Sequence, residues 1–264
     1  MTFLSGFDLS KLGGGFPFLL GTIWGSFFNV CIYRLPEEQS VIWNRSHCRS
    51  CKTPLLWYHN IPVVSFFLLK GKCAFCSHKI SFQYPFVELF SGLLFLSVWW
   101  VYGWSWQCFF YTVFLSFLFM ITLIDLRHMI IPDELSLTGC VLGFLACFFT
   151  KDISWVESLL GLALGGGIFL GIATLYEKFT RQEGLGGGDI KLLAMIGAWL
   201  GYQSVLVVIV ISSALGSVLG MSLMAFKKRN LKTAIPFGPF LAFGAMIYLF
   251  WGTLLRNIFF PSMN

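Results

Sequence analysis

Two aspartates stand where apolar runs meet polar chain. Asp125 ends the run FLSFLFMITLID, and Asp189 opens DIKLLAMIGAWLG directly after Gly184-Leu185-Gly186-Gly187-Gly188. Carboxylates at or within membrane spans are costly and tend to mark function. Two of them in one partly dry site cannot both ionise easily, so the pair can share a proton. One then activates water while the other protonates or polarises a peptide carbonyl, and the titration belongs to the pair. The glycine run Gly186, Gly187, Gly188 permits backbone conformations closed to other residues and leaves room for a substrate strand. Its plainer reading is a flexible loop. Either aspartate alone reads as an interfacial carboxylate that snorkels to water or pairs with Arg127 or Lys191. Two on one face, one of them behind glycines, weigh against that.

Three other residues have quieter readings. Asp133, after Pro132, suits the N-terminal turn of the next helix, where a carboxylate meets the positive end of the dipole. Glu88 falls early in the second span, where it is functional or paired. His128 is expected in an exposed loop.

Cys48-x-x-Cys51 and Cys73-x-x-Cys76 make a second constellation. Two close pairs at this separation read as a four-cysteine zinc site, each pair giving two ligands to a closed tetrahedral centre. Such a staple would stabilise a short segment with little core of its own. Basic residues around HCRSCKTPL and KCAFCSHK favour thiolates. Disulfides or a redox pair are the competing readings. Disulfides fit poorly in a reducing compartment, and a thioredoxin-type motif needs a βαβ context. His47 and His78 flank the pairs and could substitute as ligands. Cys31, Cys108, Cys140 and Cys147 lie in apolar stretches as small hydrophobes.

The elements that must position these groups are membrane helices. The chain has 264 residues, 57% hydrophobic and 11% charged, with a mean hydropathy of +0.78. Soluble domains carry about 25% charged residues, so the bilayer is the natural solvent here. Apolar stretches long enough for a span, with two shorter ones, cover about 16–33, 85–102, 108–124, 135–149, 156–176, 190–200, 205–226 and 235–255. The expected fold is all-α, an integral membrane protein of about eight transmembrane helices. It divides into 1–33, a polar segment 34–84 with both cysteine pairs, and an apolar 85–264 that carries both aspartates. The N-terminus does not read as a cleaved signal peptide.

With the N-terminus outside, one face receives Arg34, Arg45, Arg49, Lys52, Lys70, Lys72, Lys79, Arg127, Lys178, Arg181, Lys227, Lys228, Arg229 and Lys232. The other receives Lys11, Lys151 and Arg256, and Lys191 begins a span. Basic residues concentrate on the cytoplasmic side. Segment 34–84 and both aspartates are therefore expected there, and the net charge of +6 reads as topology rather than nucleic-acid binding.

These features together resemble the type IV prepilin peptidase family. The resemblance rests on Gly25-Ser26-Phe27-Phe28-Asn29-Val30-Cys31-Ile32-Tyr33-Arg34-Leu35-Pro36, both C-x-x-C pairs, Asp125 in DLRHMIIPD, and the G-x-G-D motif Gly186-Gly187-Gly188-Asp189. It implies that Asp125 and Asp189 are the catalytic pair of a bacterial inner-membrane enzyme. It implies cleavage, on the cytoplasmic side, after a glycine that ends a short basic leader. It further implies N-methylation of the new terminus with S-adenosylmethionine. The substrates would be prepilins or the pseudopilins of type II secretion. Ile124 before Asp125 differs from the Tyr-Asp usual in presenilin-like proteases, and preflagellin peptidases lack the large cysteine-bearing segment. No residue pattern identifies a donor site. A proton- or metal-coupled transporter and a membrane thiol oxidoreductase are the competing functions. Transporters tend to place carboxylates nearer the midplane and to show internal repeats.

Overall fold

The structure is a computed structural model that describes residues 13–43, 46–181, 186–227 and 235–261. Lys11, Arg45, Lys228, Arg229 and Lys232 of the charge pattern, and Gly184 and Leu185 of the glycine run, lie outside the described residues. Among the described residues there are nine α-helices and no strand, only two isolated β-bridges. The helices are α1 (Gly15–Arg34), α2 (Val64–Leu68), α3 (Gln83–Tyr102), α4 (Trp106–His128), α5 (Asp133–Thr150), α6 (Trp155–Thr180), α7 (Gly187–Leu200), α8 (Tyr202–Lys227) and α9 (Gly238–Phe259). The chain forms two compact units, Met1–Ser116 and Phe117–Asn264, with the boundary inside α4.

In the first unit α1 packs closely on α3. A side chain on Gly21 would begin 2.5 Å from the Ser91 carbonyl, and one on Gly25 would begin 2.7 Å from the Glu88 Cα. Small residues let membrane helices approach in this way when no hydrophobic effect drives them together. Between the two helices runs the polar segment. Among its described residues Cys73 is the one buried hydrophobic side chain between positions 35 and 82. The segment therefore lacks an apolar core, and something else must hold it.

In the second unit α7 is the centre. Every residue from Leu192 to Leu200 is buried, and α5, α6, α8 and α9 all touch it. Seven helices are long and apolar enough to cross a membrane: α1, α3, α4, α5, α6, α8 and α9. The eighth expected span, 190–200, is α7. Its 14 residues reach about 21 Å at 1.5 Å per residue, short of the ~30 Å hydrocarbon core. A helix wrapped by protein need not match lipid, and its shortness follows from that enclosure. The α6–α7 crossing brings backbones together: a Cβ on Gly161 would collide with the Gly197 carbonyl, and one on Gly197 with the Gly161 carbonyl. Polar groups bury only where satisfied. Ser158 Oγ donates to the Ala198 carbonyl at 2.7 Å and Trp199 Nε1 to the Gly139 carbonyl at 2.8 Å. Ser154 and Glu157 form a capping box at the start of α6, which satisfies two of its orphan N–H groups.

Candidate functional site

Asp125 lies on α4, one turn before its end. The apolar run predicts a helix ending near 124, but α4 continues through Arg127 and His128, whose position at the C-terminus complements the helix dipole. Met129, at φ +55°, then breaks the helix. Asp125 is 5% exposed. Its Oδ2 accepts a buried hydrogen bond of 3.0 Å from the Gly238 N–H. Gly238 is the first residue of α9, so this N–H is one of the four that a helix N-terminus leaves without an internal acceptor. The carboxylate caps α9, and α9 fixes the carboxylate.

Asp189 occupies the first turn of α7, with Gly186 as N-cap. Its N–H donates to the Gly186 carbonyl at 3.1 Å. It interacts electrostatically with Asp125. Ile131, in the short α4–α5 connection, spans the space beside them. A Cβ on Gly188 would lie 2.9 Å from the Ile131 Cβ, and a Cβ on Gly238 would lie 3.4 Å from its Cδ1. Gly188 is therefore small because Ile131 packs against it. None of Gly186, Gly187 and Gly188 has positive φ, and a Cβ on Gly187 would meet nothing within 4 Å. In these three residues the glycines open space rather than unusual backbone conformations.

The simple pairings expected for an isolated carboxylate do not account for the aspartates. Lys191 Nζ bonds Asp133 Oδ1 at 2.6 Å instead. Asp133 is the first residue of α5, with Pro132 at its N-cap. The bond joins the first residue of α5 to the second turn of α7, two residues after Asp189. His128 is exposed, as anticipated, although it ends α4 rather than lying in a loop.

Gly238 was not legible from sequence as a site residue. The signal lay in Ile235-Pro236-Phe237-Gly238-Pro239. Two prolines bracket a glycine at a helix start that has no Ser, Thr, Asp or Asn cap, so the capping group had to come from elsewhere in the chain.

In the first unit the two cysteine pairs converge. The four Sγ atoms of Cys48, Cys51, Cys73 and Cys76 all lie within 4.8 Å of one another and could hold a metal ion. All eight cysteines are free thiols. The two loops share one backbone design. The Cys48 N–H bonds the Thr53 carbonyl and the Lys52 N–H bonds the Cys48 carbonyl, at 3.0 and 2.9 Å. The Cys73 N–H bonds the His78 carbonyl and the Ser77 N–H bonds the Cys73 carbonyl, at 2.9 and 3.0 Å. One β-bridge closes each loop, His47 to Pro54 and Lys72 to Lys79. His47 and His78 thus serve through their backbones, and the cluster itself is four thiols.

Local donors prepare those thiols. Hydrogen bonds from the Thr53 hydroxyl and backbone hold Cys51 down to about 6. The N–H groups of Phe75 and Cys76 likewise lower Cys73. Cys76 is pushed up to about 11: the His78 N–H bond favours its thiolate, but desolvation and the thiols of Cys51, Cys73 and Cys48 outweigh it. Ionising all four thiols at this spacing would require a cation among them. Arg49 stacks 3.7 Å from the Tyr33 ring centroid and 5.6 Å from that of Tyr84, a cation–π contact that ties the first loop to the end of α1 and the start of α3.

Glu88 is buried on α3, 7% exposed. It accepts a 2.6 Å hydrogen bond from the Val63 N–H and another from the Ser26 hydroxyl. Val63 has φ +63°, ψ −51°, and the Val64 N–H bonds the Pro62 carbonyl at 2.6 Å. This is the rare, strained form of γ-turn, here on a β-branched residue.

Comparison with known proteins places the chain in a family. Residues 112–221 match the type IV leader peptidase family, and residues 19–102 match the bacterial peptidase A24 N-terminal domain. A protein of Xanthomonas campestris pv. campestris is 37% identical over 265 residues, covering 91% of this chain and 92% of the relative. One of Pseudomonas aeruginosa is 35% identical over 264 residues, covering 91% of each. One of Neisseria gonorrhoeae is 34% identical over 256 residues, covering 87% of each. All three are described as prepilin leader peptidase/N-methyltransferase. No solved structure matches the chain. With relatives of this identity along nearly the whole length of both partners, the chain belongs to the type IV leader peptidase family.

Proposed function

We propose that this protein removes the basic leader from type IV prepilins, or from the pseudopilins of type II secretion, and then methylates the exposed amino terminus. Asp125 and Asp189 are the proposed catalytic pair. One carboxylate takes a proton from water as it attacks the scissile carbonyl, and the other donates to that carbonyl oxygen. The observation that carries this reading is the buried Gly238 N–H bond to Asp125 Oδ2. It orients the carboxylate beside the glycine-led turn that carries Asp189. Gly186, Gly187 and Gly188 then give an extended peptide room to lie against α7.

In this reading Cys48, Cys51, Cys73 and Cys76 hold a structural zinc ion. Zinc–thiolate bonds of about 2.3 Å in a tetrahedron set sulfurs about 3.8 Å apart, and Cys48 Sγ to Cys76 Sγ is 3.8 Å. S-adenosylmethionine is the methyl donor. Segment 34–84 serves the metal and methyl transfer, and 85–264 serves proteolysis. The protein lies in the bacterial inner membrane with the aspartates at its cytoplasmic face, supported by the basic-residue asymmetry of the sequence. Nothing in the fold or among the relatives favours a transporter or a thiol oxidoreductase.

The test is a cleavage assay with a purified prepilin, read by product mass. Asp125→Asn and Asp189→Asn should each lower kcat by about 10³-fold, because members of a catalytic pair act as a unit. Wild-type cleavage by either variant would remove that aspartate from the mechanism.

A further inference from the structure

We infer that the cavity enclosed by the end of α1, the start of α3 and the cysteine-bearing segment is the methyl-transfer site, where the Glu88 carboxylate faces the positive charge of a bound S-adenosylmethionine. The inference rests on the methyltransferase half of the proposed function and gives it a location.

The cavity measures about 380 Å³, within the ~300–1,000 Å³ of small-molecule sites. Its wall includes Asn29, Arg34, Arg49, His59, Lys79 and Glu88, with the rings of Tyr33 and Tyr84. Asn29, Arg34 and Glu88 are 6, 6 and 7% exposed. Buried charges are retained only where something compensates them. Glu88 accepts from the Val63 N–H and Ser26, but among the described residues no lysine or arginine forms an ion pair with it. A carboxylate offers about four acceptor positions, so two bonds leave capacity facing the cavity. The missing partner is a cation. His59 adds a second unmet group, since its Nδ1 is buried without a hydrogen-bond partner.

S-adenosylmethionine fits this chemistry: it carries a sulfonium, and its amino-acid end bears an ammonium beside a carboxylate that suits Arg34. In the transfer, the neutral amino nitrogen of the cleaved substrate forms a bond to the methyl carbon. The carbon–sulfur bond breaks with its electron pair going to sulfur. The donor leaves as the neutral thioether S-adenosylhomocysteine, and the methylated nitrogen releases one proton to water. The strained turn at Val63 is explained on the same terms. Strain of this kind persists where the surroundings fix it and clusters at ligand clamps; here Glu88 holds the turn at the cavity edge.

The experiment measures donor binding to the full-length, metal-loaded protein in detergent. Glu88→Gln keeps an acceptor for Val63 and removes the charge. It should raise the Kd for S-adenosylmethionine about 30-fold, with a smaller rise for S-adenosylhomocysteine, while leader cleavage continues and yields unmethylated product. Equal rises for both ligands would assign Glu88 to the ammonium they share, and the site stands. Ser65→Trp, which fills the cavity from α2, should also abolish donor binding. Unchanged Kd in both variants overturns the proposal. Photocrosslinking of labelled S-adenosylmethionine to wild type reads the site without any variant. Label within 26–88 supports it, and label confined to 117–264 overturns it. A wild-type protein that neither binds nor uses the donor would instead refute the methyltransferase reading itself.

Discussion

Replacing Gly238 by alanine tests how Asp125 is held. The added Cβ would lie 2.7 Å from Asp125 Oδ2, 3.3 Å from its Cγ and 3.4 Å from Ile131 Cδ1. The first, a carbon–oxygen distance, is below the 3.0 Å that a real Cβ essentially never crosses. Either α9 withdraws or the carboxylate turns, and both break the 3.0 Å bond from the Gly238 N–H. Losing that buried bond costs about 1–3 kcal/mol, and an off-rotamer Asp125 costs about 0.5–1.5 kcal/mol more. The larger consequence is kinetic. A displacement of the order of 1 Å at a catalytic group can lower the rate about 10²-fold. Gly238→Ala should therefore reduce kcat for leader cleavage about 100-fold with little change in KM. Methylation of a substrate supplied already cleaved should continue and serves as the control for folding. A kcat within threefold of wild type would show that Asp125 does not need this bond, and the geometric argument would fail.

Two further outcomes follow from the framework that surrounds the sites. Cys51→Ser should strip the metal from the purified protein, measured by elemental analysis, and make the remaining three thiols of the cluster react quickly with an alkylating agent; full metal content in the variant would end the four-thiolate assignment. Gly161→Val should lower the stability of the second unit by about 1–3 kcal/mol through overpacking against the Gly197 carbonyl, seen as a fall in Tm, whereas Gly167→Val, where a Cβ meets nothing within 4 Å, should leave Tm nearly unchanged.

The helices were legible because lipid imposes a simple demand: long apolar runs read directly as spans. Asp125, Asp189 and the four cysteines stood out because their types are costly or unusual where they stand, and the structure gathers the four cysteines into one cluster. The rest was not legible, for separate physical reasons. Gly238 acts through its backbone N–H, and residue type says little about where a main-chain donor points. Glu88 could be seen as significant, but Val63 and Ser26 come from different parts of the chain, and no local pattern joins them. The extent of α4 beyond Asp125 was missed because apolar periodicity ends before the helix does. Helix α7 reads as apolar as the other spans but is too short to cross the hydrocarbon alone; hydropathy does not distinguish burial in lipid from burial in protein.

The glycine contact between α6 and α7 has a consequence beyond packing. Direct backbone contact at Gly161 and Gly197 leaves no compliant side chain between the two helices, so α7 cannot slide along α6. Asp189 sits eight residues before Gly197 on the same helix, about 12 Å along its axis. That rigid rod transmits the contact to the carboxylate. In the proposed function, the depth at which Asp189 would meet a peptide is thereby set from a point two helical turns away, by two residues that have no side chain to adjust.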